Sequence, residues 1–206
     1  MLGEATADWQ SKRREAARQE ILSAAWAVAR ENGLAALTLR EVAARVGMRA
    51  PSLYSHFASK HAIYDAMFGQ AWTEYEELVE RTEPDAPGDP RPTLKRFARR
   101  YFDFSVADLA RHQLMNLRTI PDFAPSAESY APAVRVLEGL RARMAAMGIT
   151  DDADIDLYTA LVAGLVDQQW ANDPGGDRWA RLLDRAVDMY ADELGIPRTD
   201  DTEESR

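Results

Sequence analysis

The stretch that most constrains the fold is residues 38–60, TLREVAARVGMRAPSLYSHFASK. Thr38 and Glu41 have the spacing of a capping box, in which the threonine hydroxyl accepts from the third amide of a helix and the glutamate reaches back. Leu39, Val42, Ala43 and Val46 follow at the three- and four-residue steps of one buried helical stripe. Gly47 supplies the left-handed turn that glycine adopts cheaply. A new helix is predicted from about Ala50, with Pro51 in its first turn, where no amide partner is lost. Leu53 and Phe57, four apart, face inward, which leaves Ser52, Tyr54, Ser55 and His56 on outer or flanking faces. A helix of about two turns is not stable alone. It must lean on its neighbours and present its free face, as the second helix of a helix-turn-helix does when its N-terminal end enters a DNA major groove.

The rest of the pattern is helical almost throughout, with no sustained strand-type alternation. The expected fold class is therefore all-α, with about nine helices: an N-terminal three-helix domain carrying the helix-turn-helix, and a C-terminal helical bundle. A first helix spans about 10–32 and ends at Gly33. A fourth is capped by Ser59 and runs to about Thr82. Prolines 84, 87, 90 and 92 predict a loop. A fifth helix is expected over about 93–109 and a short sixth to about Leu117. Residues 119–132, with prolines 121, 125 and 132, are expected to form another loop. Helices over roughly 132–147, 152–172 and 177–194 follow, separated by Gly148 and the PGGD run at 174–177. The domain division expected is 1–60, 61–196, and a polar, disordered tail over 197–206.

Composition removes several alternatives. The chain has no cysteine, which excludes disulfide scaffolds, thiolate metal sites and cysteine nucleophiles. The N-terminus has no apolar run behind its charges, and no stretch approaches the ~18 apolar residues of a membrane helix. A soluble, cytoplasmic protein is expected. The net charge of −9 is unevenly spread: residues 1–60 hold 9 Lys and Arg against 6 Asp and Glu, and the remainder 16 against 28. A mildly basic head on an acidic body favours approach to phosphate by the head. His56 and His61 lie in or beside the motif, so His112 stands alone in the body, without a nucleophile signature or metal-ligand spacing. The acids Asp151, Asp152, Asp154 and Asp156 lack the glycine and terminal glutamate of a calcium loop and suit a helix N-terminus. No catalysis, cofactor or metal is expected.

The segment from residue 12 to 68 resembles the tetracycline-repressor (TetR) family, and Leu53, Tyr54, His56, Phe57, Ser59 and Lys60 carry the most specific part of the match. The resemblance implies a DNA-binding transcription regulator and suggests roles position by position. Arg40 is placed to reach a guanine edge, where arginine donates twice to O6 and N7. Arg49, Ala50, Pro51 and Ser52 would face bases, with Ala50 and Pro51 offering apolar contact to a thymine methyl. Tyr54 and Lys60 would contact phosphates that fix register. His56 would support the motif or touch phosphate, and Thr38 would bond a phosphate while capping. Lys12, Arg13 and Arg14 would form a basic arm.

The body is expected to sense and to dimerise. In 152–172, Ile155, Tyr158, Val162 and Leu165 make one apolar face, and Leu157, Leu161 and Gly164 another. In 177–194, Trp179, Leu182, Leu183, Ala186, Val187, Tyr190 and Leu194 make a wide one. A helix apolar on two sides must bury both, so one side is expected to meet a twin in a four-helix interface. Tyr101, Phe104, His112, Met115, Tyr130, Tyr158 and Trp170 are the candidate residues for a small apolar or aromatic inducer, with Phe123, Asp167, Gln168, Gln169 and Asn172 nearby in sequence. The expected function is a homodimeric repressor on a palindromic operator of double-stranded DNA, released by the inducer. The alternatives are an activator, or a helical interaction protein of the same fold.

Overall fold

Most helix starts follow from single capping residues. Thr38 Oγ1 accepts from Glu41 N at 3.2 Å to open one helix, and Ser59 Oγ accepts from Ala62 N at 3.1 Å to open another. Asp151 does the same for Ala153 N at 2.9 Å. The computed structural model describes residues 2–82 and 89–198, with side chains from Trp9 onward. Prolines 84 and 87 of the expected loop, and residues 199–206 of the expected tail, lie outside the described residues. Among the described residues the elements are α1 Leu2–Asn32, α2 Leu39–Arg45, α3 Ala50–Leu53, α4 Lys60–Thr82, α5 Pro90–Val106, α6 Leu109–Asn116, α7 Ala127–Ala146, α8 Asp152–Asn172 and α9 Leu183–Glu193, the last entered through a 3-10 turn, Ala180–Leu182. The all-α expectation is met, with no strand among these residues. No helix among them is long and apolar enough to cross a membrane.

Several boundaries differ from the sequence expectation: α1 begins at Leu2 rather than near residue 10, α3 is one turn rather than two, and three further differences have a visible cause. Pro90 and Pro92 open α5 rather than lying in a loop. Asp89 caps it, accepting from Arg91 N at 3.3 Å, and the prolines sit in the first turn, where missing amides have no partners to lose. Helix α7 begins at Ala127, with Pro132 inside it. Ser126 Oγ accepts from Ser129 N at 3.2 Å and starts the helix early, at the cost of one interior hydrogen bond at the proline. Residues 177–179 are turn rather than helix. The Asp173 carboxylate accepts from Arg178 N at 2.8 Å and Gln169 Oε1 from Trp179 N at 2.9 Å, which holds the chain away from helical geometry.

By contact density the chain divides into two units, Met1–Glu74 with Ala110–Pro132, and Tyr75–Leu109 with Ala133–Arg206. In the first, Ile21, Ala25, Val28, Leu37, Val42, Leu53, Phe57, Ile63, Tyr64 and Met67 are buried. In the second, Leu94, Phe97, Phe102, Met144, Ile155, Tyr158, Val162, Val166, Leu183 and Val187 form a continuous apolar cluster. Burial of each such side chain contributes about 1.5–3 kcal/mol. The second unit also buries a charge. Arg91 donates to the carbonyls of Asp188, Ile196 and Pro197 and pairs with the carboxylates of Asp188 and Asp192, tying the start of α5 to the end of α9.

Candidate nucleic-acid interface

The turn between α2 and α3 is built as its glycine requires. Gly47 has φ +68°, Gly47 N donates to Ala44 O at 3.2 Å and Met48 N to Ala43 O at 2.9 Å. These are the paired bonds of a Schellman ending. A Cβ on Gly47 would meet nothing within 4 Å, so the demand for glycine is torsional. Of the stripe expected to be buried, Val42 and Ala43 are buried and Leu39 and Val46, at its two ends, half-buried. The capping box is only half made. Thr38 caps, but the Glu41 carboxylate takes Asn32 Nδ2 at 2.6 Å instead of reaching back. Glu41 thus tethers α2 to the end of α1, a use of the residue that local spacing does not reveal.

The short α3 buries Leu53, and Phe57 is buried beyond its end. Its opposite side is open: Arg49, Pro51, Ser52, Tyr54 and Ser55 are exposed and Ala50 half-exposed. Arg49 occupies the N-cap position with no side-chain cap bond, and Ala50 and Pro51 form the first turn. On α2 the two arginines separate. Arg45 is held by Glu31 at 2.7 and 2.5 Å, whereas Arg40 is exposed and has no hydrogen-bond or ion partner among the described residues. Thr38 is exposed, with its hydroxyl oxygen engaged in the cap. His56 is half-buried, and its Nδ1 is buried with no partner among the described residues. Lys60 turns its ammonium onto Ala35 O at 3.3 Å and lies 5.4 Å from the Tyr64 ring centroid.

Helix α4 grips the motif on one side. Tyr64 is fully buried and donates its hydroxyl to Leu34 O. Burial pushes that phenol up to about 12. On the other side, Asp65 accepts from Ser126 N at 2.6 Å, Ser126 Oγ at 2.9 Å and Ser129 Oγ at 2.9 Å. Phe123 packs against His61 and Tyr64, with ring centroids 6.0 and 5.8 Å away, and Tyr130 stacks on Phe68 at 5.9 Å. Residues 119–132 are therefore fastened to the stretch of α4 that follows the motif. The sequence reading missed Asp65, because the only local sign was an acid at position 65 with serines 61 and 64 residues away.

The basic residues at the start of the chain do not act as one group. Arg14 donates to Ser55 O at 3.3 Å, Arg13 lies over Trp9 at 5.4 Å, and Lys12 is exposed. The candidate inducer residues fall into two sets. His112, Met115 and Tyr130 belong to the first unit. There His112 and Met115 are buried, Asn116 lies 3.2 Å from His112 Nδ1, and Tyr130 is 49% exposed. Tyr101, Phe104, Tyr158 and Trp170 belong to the second. Tyr101 and Phe104 pack on Tyr75 at 5.6 and 5.0 Å, Tyr158 donates to Leu94 O at 2.6 Å, and Trp170 Nε1 donates to Ser105 O at 3.3 Å. Burial raises the Tyr158 phenol well above its usual range. Of the neighbours considered with them, Gln169 is buried and holds the 173–179 turn, whereas Asp167, Gln168 and Asn172 are exposed.

Among the described residues, the first unit thus carries a helix-turn-helix with one outward helix face, and the chain as a whole is helical. Residues 21–67 match the model of bacterial regulatory proteins, tetR family. The transcriptional regulator FadR from Bacillus subtilis, solved in complex with stearoyl-CoA, is 16% identical, with a TM-score of 0.66 over 84% of this chain and 96% of that one. The TetR-family regulator PfmR from Thermus thermophilus is 23% identical, with a TM-score of 0.59 over 82% and 96%. A TetR variant from Acinetobacter baumannii in complex with minocycline is 20% identical, with a TM-score of 0.58 over 85% and 94%. At these identities the structural likeness establishes the shared fold. No curated protein sequence matches.

Proposed function

We propose that this protein is a transcription repressor that binds a palindromic operator as a homodimer and is released by a small-molecule inducer. The observation that carries the DNA-reading part is the open face of α3 beside an unpaired Arg40, within residues 1–60, where Lys and Arg outnumber Asp and Glu, 9 to 6, against 16 to 28 in the remainder. Arg40 would read a guanine edge. Arg49, Ala50, Pro51 and Ser52 would lie against bases. Tyr54, 56% exposed at the end of α3, would hold phosphate. Lys60 spends one of its three donors on Ala35 O, so the others can meet a phosphate. Thr38 and His56 would support the motif near the backbone.

Dimerisation is supported by the outward faces of the last two long helices. On α8, Ile155, Tyr158 and Val162 are buried, while Leu157 is 54% exposed and Gly164 exposed. Next to them in the same unit, Leu182 is 38% and Met189 64% exposed, while Leu183, Val187 and Tyr190 point into the core. Apolar residues that face water beside a glycine suit close packing against a second copy. The inducer reading draws support from FadR and TetR structures that hold small molecules, and from the aromatic residues of the body. The Asp65 bonds would relay a change at 119–132 to α4 and so to the motif.

The test is selection of binding sites from a random duplex pool with the intact protein. A two-fold symmetric consensus with half-sites about 34–36 Å apart is expected. Arg40→Ala should cost ~1–3 kcal/mol and relax preference at one base pair per half-site, and Lys60→Ala should weaken all sequences alike and reduce the salt slope by ~1. Recovery of no consensus would sink the reading in favour of the helical interaction protein.

A further inference from the structure

The exposed end of α3 is braced by residues that lie outside the helix-turn-helix. Just past α3 the chain turns: Ser52 O accepts from Ser55 N and Leu53 O from His56 N and Phe57 N, and the next carbonyls, those of Ser55 and His56, lie beyond the helix and take donors from α1. Arg14 donates to Ser55 O at 3.3 Å and Arg18 to His56 O. Arg18 also lays its guanidinium 4.2 Å from the ring centroid of Phe57, the buried aromatic that seats the motif. The two arginines are four residues apart, one turn along the same face of α1, and 41 and 38 residues from their acceptors. They sit upstream of Ile21, where the buried face of α1 begins, and residues 9–16 are all exposed. Their placement therefore serves the end of α3 rather than the core of α1. Positive charge at that end also opposes the negative pole of the short helix.

We propose that Arg18, supported by Arg14, is a positioning residue for sequence reading. The proposal rests on the DNA-binding function above and deepens it. Leu53 and Phe57 hold α3 along one buried line, about which so short a helix can still roll. The fork from Arg18 to His56 O, seated on Phe57, fixes that roll. Base-edge hydrogen bonds depend on sub-ångström placement, whereas attraction to phosphate tolerates small rotations. Loss of Arg18 should thus remove discrimination while leaving non-specific binding in place.

The experiment compares the full chain with its Arg18→Met, Arg18→Lys and Arg14→Ala variants on two duplexes of equal length: the consensus selected from a random pool by the unaltered protein, and a scrambled version of it. Arg18→Met should lose at least tenfold in affinity for the consensus, stay within twofold on the scrambled duplex, and keep the salt slope. Arg18→Lys, which can still donate to one carbonyl and place charge over Phe57, should recover part of the loss. Arg14→Ala, at an exposed site that a folding defect does not confound, should show the same pattern at two- to fivefold. An equal loss on both duplexes with a shallower salt slope would make Arg18 a phosphate contact and overturn the proposal. So would unchanged discrimination in both Arg18→Met and Arg14→Ala. If the unaltered protein selects no consensus, the DNA-reading function itself fails, a result distinct from either.

Discussion

Replacing Arg91 with alanine should destabilise the second unit, as a large core truncation does. The side chain is 7% exposed and serves three backbone carbonyls and two carboxylates. Removal of one partner from a buried ionic group typically costs 3–5 kcal/mol, because the remaining charge is stranded. Here that part is reduced. The Asp188 and Asp192 side chains are 35% and 46% exposed, and they keep Lys95 and Arg198 at 2.8 Å as alternative partners. What remains is the loss of charge-assisted bonds to the carbonyls at residues 188, 196 and 197, each worth about 1.5–3 kcal/mol taken singly but not additive for one guanidinium. A loss of about 3 kcal/mol is expected. For a chain of this size that lowers Tm by roughly 6–12 °C. Urea unfolding should show a lower midpoint with an unchanged m-value. Amide exchange should accelerate first over residues 188–198, the stretch that the guanidinium ties to α5. Arg91→Lys, which replaces the planar fork with a single ammonium, should lose about half as much. A loss below ~1 kcal/mol for the alanine variant, or exchange that accelerates uniformly, would refute the account of Arg91 as the anchor of the α9 end.

Leu157→Glu, alone or with Met189→Glu, should convert the proposed dimer to a monomer in sedimentation at micromolar concentration and weaken binding to the selected consensus duplex by orders of magnitude, while leaving helix content unchanged, since both residues face outward. Asp65→Ala removes the charged acceptor of Ser126 and Ser129; at this half-buried site it should cost about 1.5–3 kcal/mol, with faster amide exchange over residues 126–131 and a shift in affinity for the selected duplex that Asp167→Ala, at an exposed site in the other unit, does not produce. Gly47→Ala should destabilise the first unit by ~1–2 kcal/mol through the positive φ alone, as read by thermal melting. The phenols of Tyr64 and Tyr190 are each raised by burial from 10 to about 12. The unfolded chain therefore releases those protons first as pH rises. The stability that the neutral phenols confer is complete below pH 10 and should fall by ~1.4 kcal/mol per pH unit for each tyrosine between the unfolded and folded values, seen as a declining urea midpoint with delayed phenolate absorbance.

Much of the motif was legible because its signals are local. A threonine cap, an apolar stripe at helical steps, a glycine and a proline in the first turn act within five residues of one another, and the energies that fix them are those of the backbone itself. The same locality misled where tertiary bonds intervened. Proline 132 reads as the end of a loop and the start of a helix, but Ser126, held by Asp65, starts α7 upstream of it. Glu41 reads as half of a capping box, but Asn32 lies closer in space. Prolines 90 and 92 read as loop residues, and the Asp89 cap turns them into a helix start, which finer attention to the capping pattern could have detected.

What the sequence by itself determined is the class of fold and the motif that would read DNA: the spacing of apolar residues and caps over 38–60 admits one local solution, and the all-helical periodicity leaves no place for strands. What only the tertiary structure decided is which polar side chains serve that motif from elsewhere. Arg14 and Arg18 at the end of α3, Asp65 on the start of α7, and Arg91 at the end of α9 meet their partners across 38 to 106 residues. An arginine or aspartate on a helix reads the same whether it faces water or a carbonyl. Only the packing of the helices, driven by apolar burial, brings such groups within bonding distance, and the choice of partner is made there.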